Sequence, residues 1–394
     1  QRPASRPTIY AYEDTNPQFA GLLKVGYTTR TAGERLDEIY PVKTPGKPPY
    51  RILLEEPAMR GDGTVFTDHD VHRMLRINGV KNPNGEWFCC TVDQVKAAII
   101  AVRTGQLNDE NRPLDFKMRP EQKAAVEKTA AYFTGWRRER CNRNKPPHFL
   151  WNCKMRFGKT FAAYQLAKKM GWRKVLVLTF KPAVQSAWED DLKCHVDFAG
   201  WQFIKPGGLT YEQADKKKPF VCFGSFQDYL GRNPSTGGIK TKNEWVHTTN
   251  WDCVILDEYH YGAWRENAKE LFEAEDEKEV AFGVGQGAEF LKERDEEIGD
   301  IMPITTDGYL YLSGTPFRAI ASGEFIEEQI FNWTYSDEQR AKQNWKGSVN
   351  PYAALPRMVL LTYQLPDAIR EIAIQGEFNE FDLNVFFSAE GVGD

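Results

Sequence analysis

The strongest constraint on the fold lies between residues 147 and 316. Five short runs there, PHFLWNC, KVLVLTF, FVCFGSF, WDCVILDE and GYLYLSGTP, are apolar almost without interruption. A strand with one face in water alternates polar and apolar side chains, whereas a strand covered on both faces does not need to. Stretches of helical pattern separate the runs, and the helix PEQKAAVEKTAAYFTGW precedes them. This alternation predicts an α/β fold, a parallel sheet with helices on both faces.

The first of these strands leads into CKMRFGKT and then into the helix FAAYQLAKK. A loop that joins a buried strand to a helix N-terminus gathers backbone N–H groups around an anion. In the pattern G-x-x-x-x-G-K-T the first glycine is replaced here by Cys153, a small residue at a strand end. Gly158 permits close backbone approach. Lys159 would set a charge on the β- and γ-phosphates of ATP, and Thr160 would hold Mg²⁺ through its hydroxyl. Arg156, inside the loop, joins the ATP-binding candidates. The strand WDCVILDEYH ends in Asp257, Glu258 and His260. Adjacent carboxylates at the end of a buried strand are costly unless a cation or a reaction needs them. Asp257 would reach Mg²⁺ through water, and Glu258 would orient or deprotonate the attacking water.

A second region, residues 8–105, has a different texture. TIYAYE, LLKVGYT and YRILLEE read as strands, EWFCC as a short one, and TAGERLDEIY, VFTDHDVHRMLRI and VDQVKAAIIAVRTG as helices, with Val65, Val71 and Leu75 among the apolar positions of the second helix. This predicts a small α/β domain. Residues 106–118 are polar, carry proline and read as a linker to a domain over 119–394, with an acidic insertion at about 262–308 read as a solvated helical face.

Composition excludes little. A net charge of −4 gives no global signal for nucleic acid, although local basic faces act independently of the sum. No run is long and apolar enough to predict a membrane span. The start, QRPASRPT, lacks the apolar core of a secretory signal and is compatible with a truncated end. The seven cysteines are odd in number and lack zinc-site spacing, which points to a reducing, cytoplasmic setting.

From about Arg119 to Phe317 the sequence resembles the superfamily 2 helicases and translocases. Asp257-Glu258-Tyr259-His260 is a D-E-x-H box, Ser313 to Pro316 match the S-G-T-P motif, and RPEQKAAV matches the motif before the loop. The resemblance implies a RecA-like lobe of the P-loop NTPase type that uses ATP and Mg²⁺. It implies that Gln122 reads adenine, that His260, Ser313 and Thr315 belong to the ATP site, and that Lys181, Ser225 and Gln227 contact nucleic acid. The nearest flavour is the motor subunit of restriction and phage-defence enzymes. Such motors have a second lobe with a transition-state arginine, so the chain is expected to be the N-terminal part of a longer protein.

Residues 8 to 88 resemble the GIY-YIG nuclease superfamily, in its phage-type branch. Thr8-Ile9-Tyr10 stands at the first triplet and Lys24-Val25-Gly26 at the second, Arg35 follows on the next helix, and DHDVH and GEWF come after. The resemblance implies a metal-dependent phosphodiester hydrolase. Tyr10 or Lys24 would take the proton of water, and Arg35 would bind phosphate. Asp68 or Glu86 would hold Mg²⁺ or Mn²⁺, with His72 beside the metal. Zinc held by His69, His72 and Asp68 is the alternative metal site. The expected function is an ATP-dependent DNA endonuclease and translocase acting on double-stranded DNA, with possible partner subunits. The alternative is an ATPase that remodels nucleic acid and carries an inactive nuclease-like binding module.

Overall fold

A computed structural model describes residues 5–41, 46–139, 145–179, 182–229, 243–257, 304–314 and 325–356. The chain divides into two compact units, Gln1–Gln343 and Asn344–Asp394. The first holds two sheets. In the second, among the described residues, Trp345 packs edge-on against Tyr352 with ring centroids 6.0 Å apart.

The first sheet is antiparallel. Its strands are β1 (Thr8–Asp14), β2 (Leu23–Thr28), β3 (Tyr50–Pro57), β4 (Lys81–Asn84) and β5 (Trp87–Cys89), in the order β3-β1-β2-β5-β4. Helices α1 (Ala32–Ile39), α2 (Asp68–Ile77) and α3 (Val92–Thr104) accompany it. Thr31 and Glu34 exchange hydrogen bonds across the first turn of α1, as Thr91 and Gln94 do in α3, so donors left open at each helix start are satisfied. α3 ends at Gly105, which adopts the left-handed conformation. Val71 and Leu75 of α2 are buried with Ile9, Val25 and Phe88, whereas Val65 lies before the helix and is exposed. Thr67, whose N–H donates to Asp70, marks the start of α2 and explains why the helix begins later than the apolar pattern suggests. Strand β4 was not expected. Its proline suits an edge position, and Asn84-Gly85 turns it back into β5 with Gly85 at φ 51°.

The second sheet is parallel throughout, as the uninterrupted apolar runs required. Its strands are β6 (His148–Cys153), β7 (Lys174–Thr179), β8 (Gln202–Ile204), β9 (Phe220–Ser225), β10 (Cys253–Asp257), β11 (Tyr309–Ser313) and β12 (Ile330–Trp333). Their order is β12-β6-β11-β10-β7-β9-β8. Helices α4 (Pro120–Arg138), α5 (Lys159–Met170), α6 (Gln185–Cys194), α7 (Phe226–Tyr229), α8 (Glu244–Thr248) and α9 (Tyr335–Asn344) complete the unit. Separate apolar clusters line the sheet's two faces. One is built from Trp151, Tyr164, Trp188 and Leu310, the other from Leu150, Trp251, Leu256 and Tyr311. This is a RecA-like α/β arrangement preceded by a small domain, the fold class the sequence predicts. The edge strands β8 and β12 carry too few apolar residues to announce themselves.

The polar stretch 106–118 is packed against the second sheet's helices. Arg112 is buried and donates to the carbonyl oxygens of Leu192 (2.5 Å) and His195 (2.9 Å), capping the C-terminal end of α6. Leu114 forms a parallel bridge with His195, and Asn78 at the end of α2 donates to the Asn108 carbonyl at 3.2 Å.

Candidate functional site

Parallel strands that share one direction end on one edge, and the loops there converge. β6 ends in Cys153, β11 in Ser313 and β10 in Asp257, all on that edge. Neighbouring strands lie about 4.8 Å apart, so β10, two strands from β6, stands about 10 Å from the phosphate-loop strand. That spacing leaves room for a triphosphate and a hydrated cation between them.

The loop is shaped by its backbone. Gly158 has φ 77° and Arg156 has φ 65°, both left-handed. A non-glycine residue in that region costs about 1–2 kcal/mol, which the surrounding contacts must offset. Gln122 at the start of α4 provides one. Its Nε2 donates to the Phe157 carbonyl (2.8 Å), and its Oε1 accepts from the Arg119 N–H (2.9 Å). A Cβ on residue 158 would meet Gln122 Nε2 at 2.6 Å, so only glycine fits beside this brace. Gln122 thus supports the loop itself, through the same amide expected to read adenine. Arg119 adds a hydrogen bond of 2.6 Å to the Phe157 carbonyl.

Lys159 opens α5 and donates to the Cys153 carbonyl at 3.1 Å. Cys153 is buried, and burial pushes its thiol well above the ordinary range, so it is unreactive. The first turn of α5 contains no acidic residue of its own, and Asp191 of α6 accepts from its Phe161 N–H. Thr160 follows Lys159, half-buried. These donors and the lysine fit a polyphosphate. Asp257 is 7% exposed and accepts from Trp188 Nε1 at 2.7 Å. With Thr160 it offers the hard oxygen ligands that suit Mg²⁺.

Two contacts were not legible in the sequence. Trp188 is the donor to Asp257, and its only trace is one tryptophan in QSAWEDDL. Lys154, beside Cys153, is ion-paired with Glu338 of α9 at 2.5 Å. Glu338 is fully buried, and its Oε2 has no hydrogen-bond partner.

Ser313 is buried on β11, in register with Asn152. Ser225 is buried, and its hydroxyl donates to Asp228 Oδ2 (2.7 Å) while accepting from the Asp228 N–H (3.1 Å). It caps α7 and does not present its hydroxyl to a nucleic acid. Lys181, Glu258, His260 and Thr315 lie outside the described residues, as does the side chain of Gln227.

The second candidate site lies on the antiparallel sheet. Tyr10 of β1 pairs with Gly26 of β2, and a Cβ on residue 26 would come within 2.6 Å of the Tyr10 hydroxyl. The glycine lets the phenol cross the sheet. Burial raises the Tyr10 pKa, while the Arg35 guanidinium pulls it down and the charges of Glu86 and Asp68 push it up. Arg35 therefore hydrogen-bonds this hydroxyl, and the two carboxylates act on it through their charge. The phenol is held protonated, and its oxygen accepts from the Arg35 guanidinium. Arg35 is also tied to Glu38 at 3.0 Å. Lys24 Nζ is 3.3 Å from Glu86 Oε2 and 5.9 Å from the centre of the Tyr12 ring.

His72 stands apart from this group. It is 3% exposed, packs on Phe88 with ring centroids 4.9 Å apart, and its Nε2–H donates to the Val25 carbonyl at 2.8 Å. A carbonyl only accepts, so the proton sits on Nε2. The ring anchors α2 to β2, which corrects its expected place beside a metal. Among the described residues no three His, Cys, Asp or Glu side chains form a metal-binding group, so the zinc alternative finds no ligand set. Nor is any helix among them long and apolar enough to cross a membrane.

Residues 8–103 match the model of the T5orf172 domain, and residues 115–284 match that of the type III restriction enzyme, res subunit. A Mycoplasma pneumoniae protein, named as the C-terminus of a candidate type II restriction enzyme and methyltransferase, is 31% identical over 267 residues. The match takes in 63% of this chain and 36% of that protein. The SWI2/SNF2 ATPase core of Sulfolobus solfataricus in complex with dsDNA is 15% identical, with a TM-score of 0.31 over 52% of this chain and 34% of that one. The UvsW helicase of bacteriophage T4 is 13% identical, with a TM-score of 0.29 over 52% and 55%. A nuclease-deletion mutant of the Type ISP restriction-modification enzyme LlaGI, with a DNA substrate mimic, is 14% identical, with a TM-score of 0.34 over 66% and 22%. Scores of this size carry nothing about function. The chain is thus similar to restriction enzymes, with a T5orf172-like region ahead of a res-subunit-like one, and spans 36% of the curated relative it matches.

Proposed function

We propose that the chain belongs to an ATP-dependent DNA endonuclease of restriction type, in which a GIY-YIG-like face cuts and a RecA-like lobe binds ATP. What supports this reading is the coexistence in one chain of two separate groups of side chains whose types suit phosphate. One sets a glycine-lysine-threonine loop beside a buried aspartate. The other sets Arg35 on the Tyr10 hydroxyl, with the charges of Glu86 and Asp68 felt there.

In the ATP site the α5 N-terminus and Lys159 bind the phosphates, and Thr160 and Asp257 hold Mg²⁺, which when bound neutralises charge on the phosphate oxygens. In the nuclease face Arg35 binds the scissile phosphate, exchanging Glu38 for it. Glu86 and Asp68 hold a divalent cation, which when bound lowers the pKa of water. Tyr10 or Lys24, in its deprotonated form, would be the group that receives the proton of water. The class of substrate follows from the phosphodiester chemistry and from the similarity to restriction enzymes. Double-stranded DNA and partner subunits are part of the proposal.

The test is nicking of supercoiled plasmid by this chain in Mg²⁺ or Mn²⁺, with and without ATP. Nicking by the parent and its loss in Arg35→Ala, with an unchanged melt, are expected. Nicking at the parental rate by Arg35→Ala overturns the nuclease reading. Absence of nicking by the parent, with ATP still bound, selects the non-cutting ATPase instead.

A further inference from the structure

Asp257 would be the acid through which the chain meets Mg²⁺, and its position is set by another residue. Trp188 is fully buried on α6, and its indole N–H is 2.7 Å from Asp257 Oδ2. Such a donor restricts the direction of a carboxylate that has two rotatable bonds and is almost sealed from water. The indole is itself fixed. The Tyr164 hydroxyl donates to the Trp188 carbonyl at 2.8 Å, and the two rings meet edge-to-face at 5.3 Å. Tyr164 belongs to α5, the helix that starts at the phosphate loop. At the far end of α6, Arg112 holds the carbonyl oxygens of Leu192 and His195. The aspartate and the phosphate helix therefore both meet this tryptophan, and the segment after the antiparallel sheet holds the far end of its helix.

We propose that Trp188 is a positioning residue for the metal of the ATP site, turning Asp257 so that one oxygen stays on the indole and the other serves the hydrated cation. This rests on the ATP-site reading above. The residue types support the role, because phenylalanine would keep the ring packing and lose the single donor.

The experiment measures binding, not turnover. A fluorescent ATP analogue is titrated onto the full chain at increasing Mg²⁺, and separately in EDTA. In Trp188→Phe the Mg²⁺ needed for half-maximal enhancement of binding is expected to rise about 10- to 100-fold, with affinity in EDTA unchanged. In an Asp257→Asn background the second change, Trp188→Phe, is expected to add nothing. A purely structural role would lower binding in EDTA as well, and that result, or a Mg²⁺ requirement equal to the parent's, overturns the proposal. Should Trp188→Phe fail to fold, the parent labelled with ¹⁵N at its indoles decides. Mg²⁺ added to the ATP-loaded chain is expected to move one N–H resonance that stays still in Asp257→Asn, and no such movement overturns the proposal. Lys159→Ala separates the two levels. If it binds the analogue as the parent does, the ATP-site reading fails. If it does not bind while the Mg²⁺ requirement of Trp188→Phe matches the parent's, only the role of Trp188 fails.

Discussion

Gly26→Ala tests the nuclease face at its narrowest point. The new Cβ would lie 2.6 Å from Oη, 2.7 Å from Cζ and 3.2 Å from Cε1 of Tyr10. Carbon–carbon contacts are comfortable at about 3.5–4.0 Å, so the ring must retreat by about 0.8 Å or more. It has little space, being 2% exposed and stacked on Tyr12 with centroids 6.2 Å apart. Overpacking of this kind costs about 1–3 kcal/mol. The retreat also disturbs the hydrogen bond between the hydroxyl and Arg35. A displacement near 1 Å in a reacting group lowers rate by on the order of 100-fold. Gly33→Ala is the control, because its Cβ would meet nothing within 4 Å and it lies in α1. Plasmid nicking and urea denaturation are measured for both. Gly26→Ala is expected to lose stability and most of its nicking, and Gly33→Ala to match or exceed the parent in stability. Parental nicking together with a parental urea midpoint in Gly26→Ala would refute the packing argument.

Three further outcomes follow from buried polar groups. His72→Phe leaves the Val25 carbonyl without its donor and is expected to cost about 1–3 kcal/mol in urea denaturation; a variant of parental stability that has lost nicking would return His72 to the catalytic set. Glu338→Gln removes the charge that holds Lys154 in the loop, so ATP affinity is expected to change several-fold, and affinity equal to the parent's would show the pair to be silent there. The Asp191 pKa is pushed up to about 6 from the ordinary aspartate range, first by burial and then by Asp190. A carboxylate whose folded pKa is raised disfavours the fold above that pKa and stops doing so below the unfolded value. Asp191→Asn is therefore expected to be more stable than the parent at pH 7.5, by about 1–2 kcal/mol after allowing for partial exposure. The gap should close as pH falls from 7 through 6 towards 4, and a gap independent of pH would contradict the assignment.

Much of the parallel sheet was legible because burial on both faces leaves a simple trace. β6, β7, β9, β10 and β11 each read as uninterrupted apolar runs, and all five are central strands flanked on both sides. β12 pairs with β6 at the edge, but its sequence IFNW is half-buried and gives no such trace. β4 was hidden by its proline, which an edge strand tolerates. In the sites, glycine, lysine and the paired carboxylates could be named because their chemistry is local. Ser225 and His72 were misplaced because a hydroxyl or an imidazole looks the same in sequence whether it faces solvent or satisfies a neighbouring backbone.

The sequence by itself determined the α/β class, the strand–loop–helix around Lys159 and the residue types gathered near Tyr10. These depend on periodicity and on spacing within a few turns of chain. Only the tertiary structure decided that Gln122 braces the loop, that Glu338 holds Lys154 and that Arg112 ties the segment after α3 to α6. It also decided that the Trp188 indole donates to Asp257. Each joins residues far apart in the chain through one donor and one acceptor, and such a pair is selected by where the sheet brings its strand ends together.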